Sequence, residues 1–215
     1  MTSPQGPAVE APHGSLARSS AAATRRAAVG TAARLLFVLA ALLLAVSAFL
    51  PYWSLTLHAP QYPGGLDAVV FATRLAGDID EIDELNHYIG MMRLDDAGRL
   101  ERRLAPLGLV LLAGLALAAG LLRPRLASLL ALPLVAFPFV FLLDLFYWLH
   151  RAGHELDPHA PLSSSIHPFT PTIVGVGRVG QFSTTAALDL GFDLALLAAL
   201  LAVIGIVLRL RRRAE

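Results

Sequence analysis

Four long apolar segments decide what this chain can become. They cover 31–50, 105–122, 126–149 and 190–208. Each holds roughly 18–24 residues, enough for a helix to cross a ~30 Å hydrocarbon core. Hydrophobic residues fill 56% of the 215 positions, more than a soluble domain carries. The pattern predicts an all-α membrane protein. It has four transmembrane helices and two sizeable extracytoplasmic segments, 51–104 and 150–189, the first containing a short amphipathic helix. A turn at 123–125 and a tail at 209–215 complete the other side. Residues 1–30, rich in Ala, Ser, Pro and Gly and without an apolar period, read as a disordered cytoplasmic tail in which His13 has no role.

The basic residues orient the spans. All 17 are arginine. Arg18, Arg25, Arg26 and Arg34 precede or open the first span, Arg123 and Arg125 occupy the turn, and Arg209, Arg211, Arg212 and Arg213 follow the fourth. An even number of crossings puts these places on one side, which the positive-inside rule makes cytoplasmic, with both termini. Arg93, Arg99, Arg102 and Arg103 argue the other way and are outnumbered. Val46-Ser47-Ala48 would also suit cleavage of a signal peptide. Pro51-Tyr52-Trp53, read as an interfacial anchor, favours a retained helix, and either reading leaves the next segment outside. With no cysteine, thiolate metal sites and cysteine nucleophiles are excluded.

Within the first outer segment, PYWSLTLHAPQYPGGL reads as extended or turn structure and Ala68 to Arg74 as a short strand. Next comes GDIDEIDELNHYIGMM, Gly77 to Met92, with five carboxylates, a histidine and two methionines. Asp78 with Glu81 matches a capping box, and Gly90 can end the helix. At 100° per residue, Ile79, Ile82, Leu85 and Ile89 share one face with Asn86. Asp80, Glu84 and His87 share the other, with Met91 near them. Carboxylate, imidazole and thioether together suit copper, Cu(I) above all. Capping and solvation select the same residues, so a metal site and an ordinary amphipathic helix both stay open.

The second outer segment is Pro- and Gly-rich and reads as a long loop. His150 and His154, spaced i, i+4, share a face with Tyr147, and Glu155, Asp157, His159 and His167 follow. With His58, they make an extracytoplasmic metal site the alternative to independent surface histidines. GVGRVG, Gly175 to Gly180, fits G-x-G-x-x-G but lacks the strand–turn–helix context of a dinucleotide site; it reads as a turn lying against another backbone. Asp144 and Asp193 lie within the bilayer, where a charge costs roughly 2–3 kcal/mol unless paired or protonated. Pairing of Asp144 with Arg151 and a functional role are both open. Tyr52, Trp53, Tyr147 and Trp148 read as interfacial belt residues.

Three blocks, HAPQYPGGL (His58 to Leu66), GDIDEIDELNHYIGMM and HPFTPTIVGVGRVGQF (His167 to Phe182), together resemble a family of small bacterial membrane proteins associated with nitrous oxide reductase maturation gene clusters. The resemblance covers both outer segments and their flanking spans. It implies an accessory protein of the cytoplasmic (inner) membrane, acting on the periplasmic side in copper handling or metalloenzyme assembly. Copper would be its cofactor or cargo, and a periplasmic metalloenzyme or copper chaperone its partner. On matching positions it points to His87, Met91 and His58 as ligands.

Two other functions are consistent with the residues. One is a docking module for a periplasmic enzyme or electron carrier without its own metal, with Tyr62, Asn86 and Phe182 shaping the loops. The other is a small transporter or quinone-linked subunit using Asp144 and Asp193. Enzyme chemistry is not expected, because no nucleophile–base pattern or phosphate loop is present. The expected partners include the lipid bilayer and further copies of the chain, but not nucleic acid.

Overall fold

The computed structural model describes residues 13–122, 124–162, 165–179 and 181–211. In chain order the elements are α1 (His13–Ser47), β1 (Pro51–Ala59), β2 (Tyr62–Phe71), β3 (Leu75–Gly77) and α2 (Ile79–Ile89). A 3₁₀ turn at Leu94–Asp96 leads to α3 (Arg99–Leu121), α4 (Pro124–His154), β4 (Gly175–Val179), β5 (Phe182–Leu188) and α5 (Leu190–Arg211).

Four helical stretches are long and apolar enough to cross a membrane: Thr24–Ser47 in α1, Arg99–Leu121, Leu129–His154 in α4, and Leu190–Arg211. This is a multi-pass membrane protein. Its seams are built from small residues, which let helix backbones approach where lipid supplies no hydrophobic drive for association. Ala33, Ala40 and Ala41 of α1, Ala116 and Ala119 of α3, and Ala195, Ala198 and Ala202 of α5 are all buried. Phe37 is the large residue among them. It rests on Gly205, where a Cβ would stand 3.1 Å from its ring. One turn beyond Gly205, Arg209 sits over the same Phe37 ring, 5.2 Å from its centroid, and reaches across to donate to the last carbonyls of α3, those of Ala119, Gly120 and Leu122. It thereby caps groups the helix cannot satisfy itself.

Three expectations are corrected. The tail does not stay unstructured to residue 30, because α1 starts at His13. Alanine is the strongest helix former, and a helix fixed in the span propagates into the Ala-rich stretch before it. Residues 1–12 lie outside the described residues.

The second correction concerns fold class. The chain is not all-α: segments 51–104 and 150–189 join in one five-stranded antiparallel sheet of order β3-β2-β1-β5-β4. The central pair is β1 with β5, in register Trp53↔Leu188 to His58↔Ser183. These strands come from opposite ends of the sequence, yet the bundle brings them together. α1 and α5 pack side by side, β1 leaves the end of α1, and β5 enters the start of α5. The strand pair therefore extends the helix pair. Asp189 N–H donates to Tyr52 O at 3.0 Å where the two pairs meet.

The same junction revises the reading of Tyr52 and Trp53 as belt residues. Tyr52 is fully buried and Trp53 is 3% exposed. The Tyr52 hydroxyl meets Ser47 Oγ at 2.8 Å, and its ring packs against Phe137 and Phe141. Burial pushes the Tyr52 phenol up to about 12. Trp53 donates through Nε1 to Ile173 O at 2.6 Å. These two side chains anchor the sheet to the bundle.

Candidate functional site

Strand alternation gives the sheet one apolar face. Trp53, Leu55 and Leu57 of β1 point to the same side, and their partners Val70, Ala68 and Leu66 of β2 join them. Part of this face is closed: Trp53 and Ala186 pack on Leu145 and Leu149 of α4, and Leu66 and Ala68 pack on Ile82 of α2. Between these two contacts lies a cavity of about 630 Å³. That lies inside the ~300–1,000 Å³ range of small-molecule sites.

The floor is the sheet and the roof is α2 with Met91 and Met92. The walls are α3 near Glu101 to Gly108 and α4 from Phe137 to Ala152. At ~1.5 Å per residue the α4 wall is about 22 Å long, so the cavity runs well into the span. Leu104 and Val140 line it and are also 54% and 56% exposed on their helices. The cavity thus opens on the surface these helices present to lipid.

The roof is built as the apolar period of α2 requires. Ile79, Ile82, Leu85, Asn86 and Ile89 all face the cavity, while Asp80, Glu84 and His87 are exposed on the opposite side. Gly90 ends the helix in the left-handed region at φ 79°, its N–H returning to Asn86 O and His87 O. The capping box is not formed. Asp78 makes no cap bond to α2, and its carboxylate instead accepts from Asp67 N–H at 2.9 Å.

Three ties hold the roof in place. Buried Asp83 accepts from Leu94 N–H at 2.6 Å and from Arg93 Nε at 3.3 Å. Asp157 N–H donates to Gly90 O at 2.8 Å, and Leu162 N–H to Tyr88 O at 2.9 Å. The His159 N–H bonded to the Asp157 carboxylate, helped by the His159 and His87 rings, holds that carboxyl below the usual range.

The polar content of the cavity is sparse. Asn86 Nδ2 and Thr172 Oγ1 are buried and have no hydrogen-bond partner, buried Trp148 Nε1 faces the Asp144 carboxylate without a well-formed bond, and all three residues line the cavity. Buried polar groups are nearly always satisfied, so two orphans and a poorly bonded indole around one space call for an explanation. Asp144 and Glu101 line the same wall. A Cβ at Gly98 would stand 3.8 Å from Trp148 Nε1 and 4.0 Å from Glu101 Oε2. The indole N–H and that carboxylate therefore share one small volume. Arg93 is taken by Asp83 and Arg102 by Asp95.

Of the residues singled out by sequence, the structure gathers Asn86, Met91, Phe182 and Asp144 around the cavity. The seven candidate metal ligands are not brought together. His58 sits on the solvent side of β1, beside Gly65. Asp80, Glu84 and His87 face outward from α2, away from Met91. His150 and His154 do meet, ring centroids 3.9 Å apart. Their Nδ1 atoms are occupied by Thr170 Oγ1 at 3.0 Å and His150 O at 2.9 Å. Among the described residues no group of three or more His, Asp or Glu side chains is placed to hold a metal ion.

Asp193 lies in the first turn of α5, exposed and away from the cavity. Arg151 pairs with Glu155 at 2.7 Å rather than with Asp144. Gly175–Val179 of the glycine motif is an edge strand, not a turn. Sequence reasoning missed Glu101 and Trp148 as site residues. The available signal was spacing, since Trp148 is one helical turn beyond Asp144.

No protein-family model matches the chain, and no curated protein matches it.

Proposed function

We propose that this protein is a membrane-anchored binding protein for an amphipathic, lipid-like molecule. The molecule enters the cavity sideways from the bilayer. The observation that carries the reading is a cavity of about 630 Å³, apolar on floor and roof, that opens on the lipid-facing sides of α3 and α4 and encloses unpartnered polar groups. A site with apolar walls and a few convergent polar groups is what such ligands require. In the orientation proposed, both termini are cytoplasmic and the sheet and cavity lie outside. The arginines around α1 and α5 support this. Reporter fusions at Asn86 and Glu155 on opposite faces, or on the cytoplasmic face, would refute the orientation.

Gly108 offers a clean test of the cavity. It lines the space, and nothing lies within 4 Å of where its Cβ would be. The position therefore has open space for a side chain, and Gly108→Phe is the variant chosen to occupy it. The purified full chain should take up an apolar naphthylamine probe saturably, and Gly108→Phe should abolish the uptake while leaving the protein folded. Equal uptake by both proteins would refute the reading.

A further inference from the structure

We propose that the ligand's head is a neutral ring carrying hydroxyl groups, of the quinol or phenol type, on an apolar tail. This rests on the cavity's taking a lipid-like molecule and adds the identity of its polar end. One donor awaits an acceptor, Asn86 Nδ2 from the roof, on a residue only 6% exposed, while Trp148 Nε1 on the α4 wall faces the Asp144 carboxylate without a well-formed hydrogen bond. Two carboxylates can accept a further hydrogen bond: half-buried Asp144, which already faces Trp148, and Glu101, exposed at the rim. Asp144 and Glu101 have no arginine within ion-pairing distance among the described residues, and an ionised carboxylate only accepts.

Candidate heads differ in how many of these groups they satisfy. A phosphate accepts from Asn86 and Trp148 but meets two carboxylates, with Arg93 and Arg102 engaged elsewhere. Among the lining arginines that leaves Arg178 against two negative charges. An ammonium offers donors only, satisfying the carboxylates while Asn86 stays orphaned. A phosphoethanolamine could match both sets, but only by desolvating two full charges. A hydroxylated ring accepts and donates through the same oxygens without net charge. The walls also offer faces for it: Phe137, Phe141, Phe169 and Trp148 line the cavity, and aromatic rings pack against one another in offset or edge-to-face geometry.

The chain's two tryptophans both line the cavity, so intrinsic fluorescence reads its occupancy. The detergent-purified full chain is titrated with a decyl-chain quinol, its bis-methyl ether, and a short-chain phosphatidylethanolamine. The naphthylamine probe serves as the head-independent control. The quinol should quench saturably and bind at least about tenfold tighter than the ether or the phospholipid, the effect of losing hydrogen bonds to charged or buried groups. Asp144→Asn and Asn86→Leu should each weaken the quinol by about tenfold and leave the probe unchanged, which also shows the variants are folded. If the probe binds and Gly108→Phe blocks it, yet quinol, ether and phospholipid bind alike or the phospholipid binds tightest, the head assignment is overturned and the cavity reading stands. If the probe does not bind, or Gly108→Phe does not block it, the cavity reading falls and the assignment with it.

Discussion

The hydroxyl pair joining α1 to β1 gives a prediction whose size follows from the structure. Ser47 Oγ lies 2.7 Å from Leu44 O and 2.8 Å from the Tyr52 hydroxyl, and both side chains are fully buried. A hydroxyl has one proton, and Leu44 O can only accept. Ser47 therefore donates to Leu44 O, and Tyr52 donates to Ser47. The two truncations are then unequal. Tyr52→Phe removes the donor and leaves Ser47 bonded to Leu44 O, a loss of about 0.5–1.5 kcal/mol. Ser47→Ala strands the Tyr52 hydroxyl in an apolar core, a loss of about 1–3 kcal/mol. Leu44 O is not orphaned by that change, because Ala48 N–H still reaches it at 3.3 Å. The double variant should be more stable than Ser47→Ala alone, since the stranded hydroxyl is gone. Reversible unfolding in detergent micelles, followed by circular dichroism, measures all four proteins. Strict additivity, or a larger loss for Tyr52→Phe than for Ser47→Ala, would refute the assigned direction of the bond.

Three further outcomes are expected. Stability should fall as pH rises from about 10 to about 12: there the unfolded phenol, with an ordinary value of about 10, has lost its proton while the buried Tyr52 keeps it. Tyr52→Phe should remove that component of a pH-resolved melting series. Asp83→Ala strips Leu94 N–H and Arg93 of their partner; it should cost about 1–3 kcal/mol and raise amide exchange in 79–98 before the bundle is affected. Arg209→Ala leaves the last carbonyls of α3 without their side-chain donor. It should lower the melting temperature by an amount corresponding to about 1–3 kcal/mol, while Gly108→Phe should not lower it.

The legible part of this protein was the part whose physics is local. A run of apolar residues must become a helix in lipid, because each backbone group needs a partner within the segment. α2 was equally legible: its face of Ile79, Ile82, Leu85, Asn86 and Ile89 is the face found against the cavity, and Gly90 ends it. The sheet was not legible as a whole. Its central pair joins Trp53 to Leu188, and nothing in PYWSLTLHA or FSTTAAL names the other. β5 carries Thr and Ala rather than a strong alternation, so its strand character comes from the neighbour it meets.

The candidate site divides in the same way. Asp144 drew attention as a charge inside a span, and Asn86 as a polar residue on an apolar face. Each is a violation of local pattern that a single helix makes visible. What they belong to was decided by packing. α3 brings Glu101 to Trp148, the sheet supplies a floor, and the hairpin parity that puts Leu55 and Leu57 inside puts His58 outside. Sequence alone fixed the four crossings and the amphipathic roof, because hydrogen-bond satisfaction and helical period act within one segment. Only the tertiary structure decided that there is a sheet and a cavity, because both arise from surfaces more than a hundred residues apart in the chain that the helix bundle sets side by side.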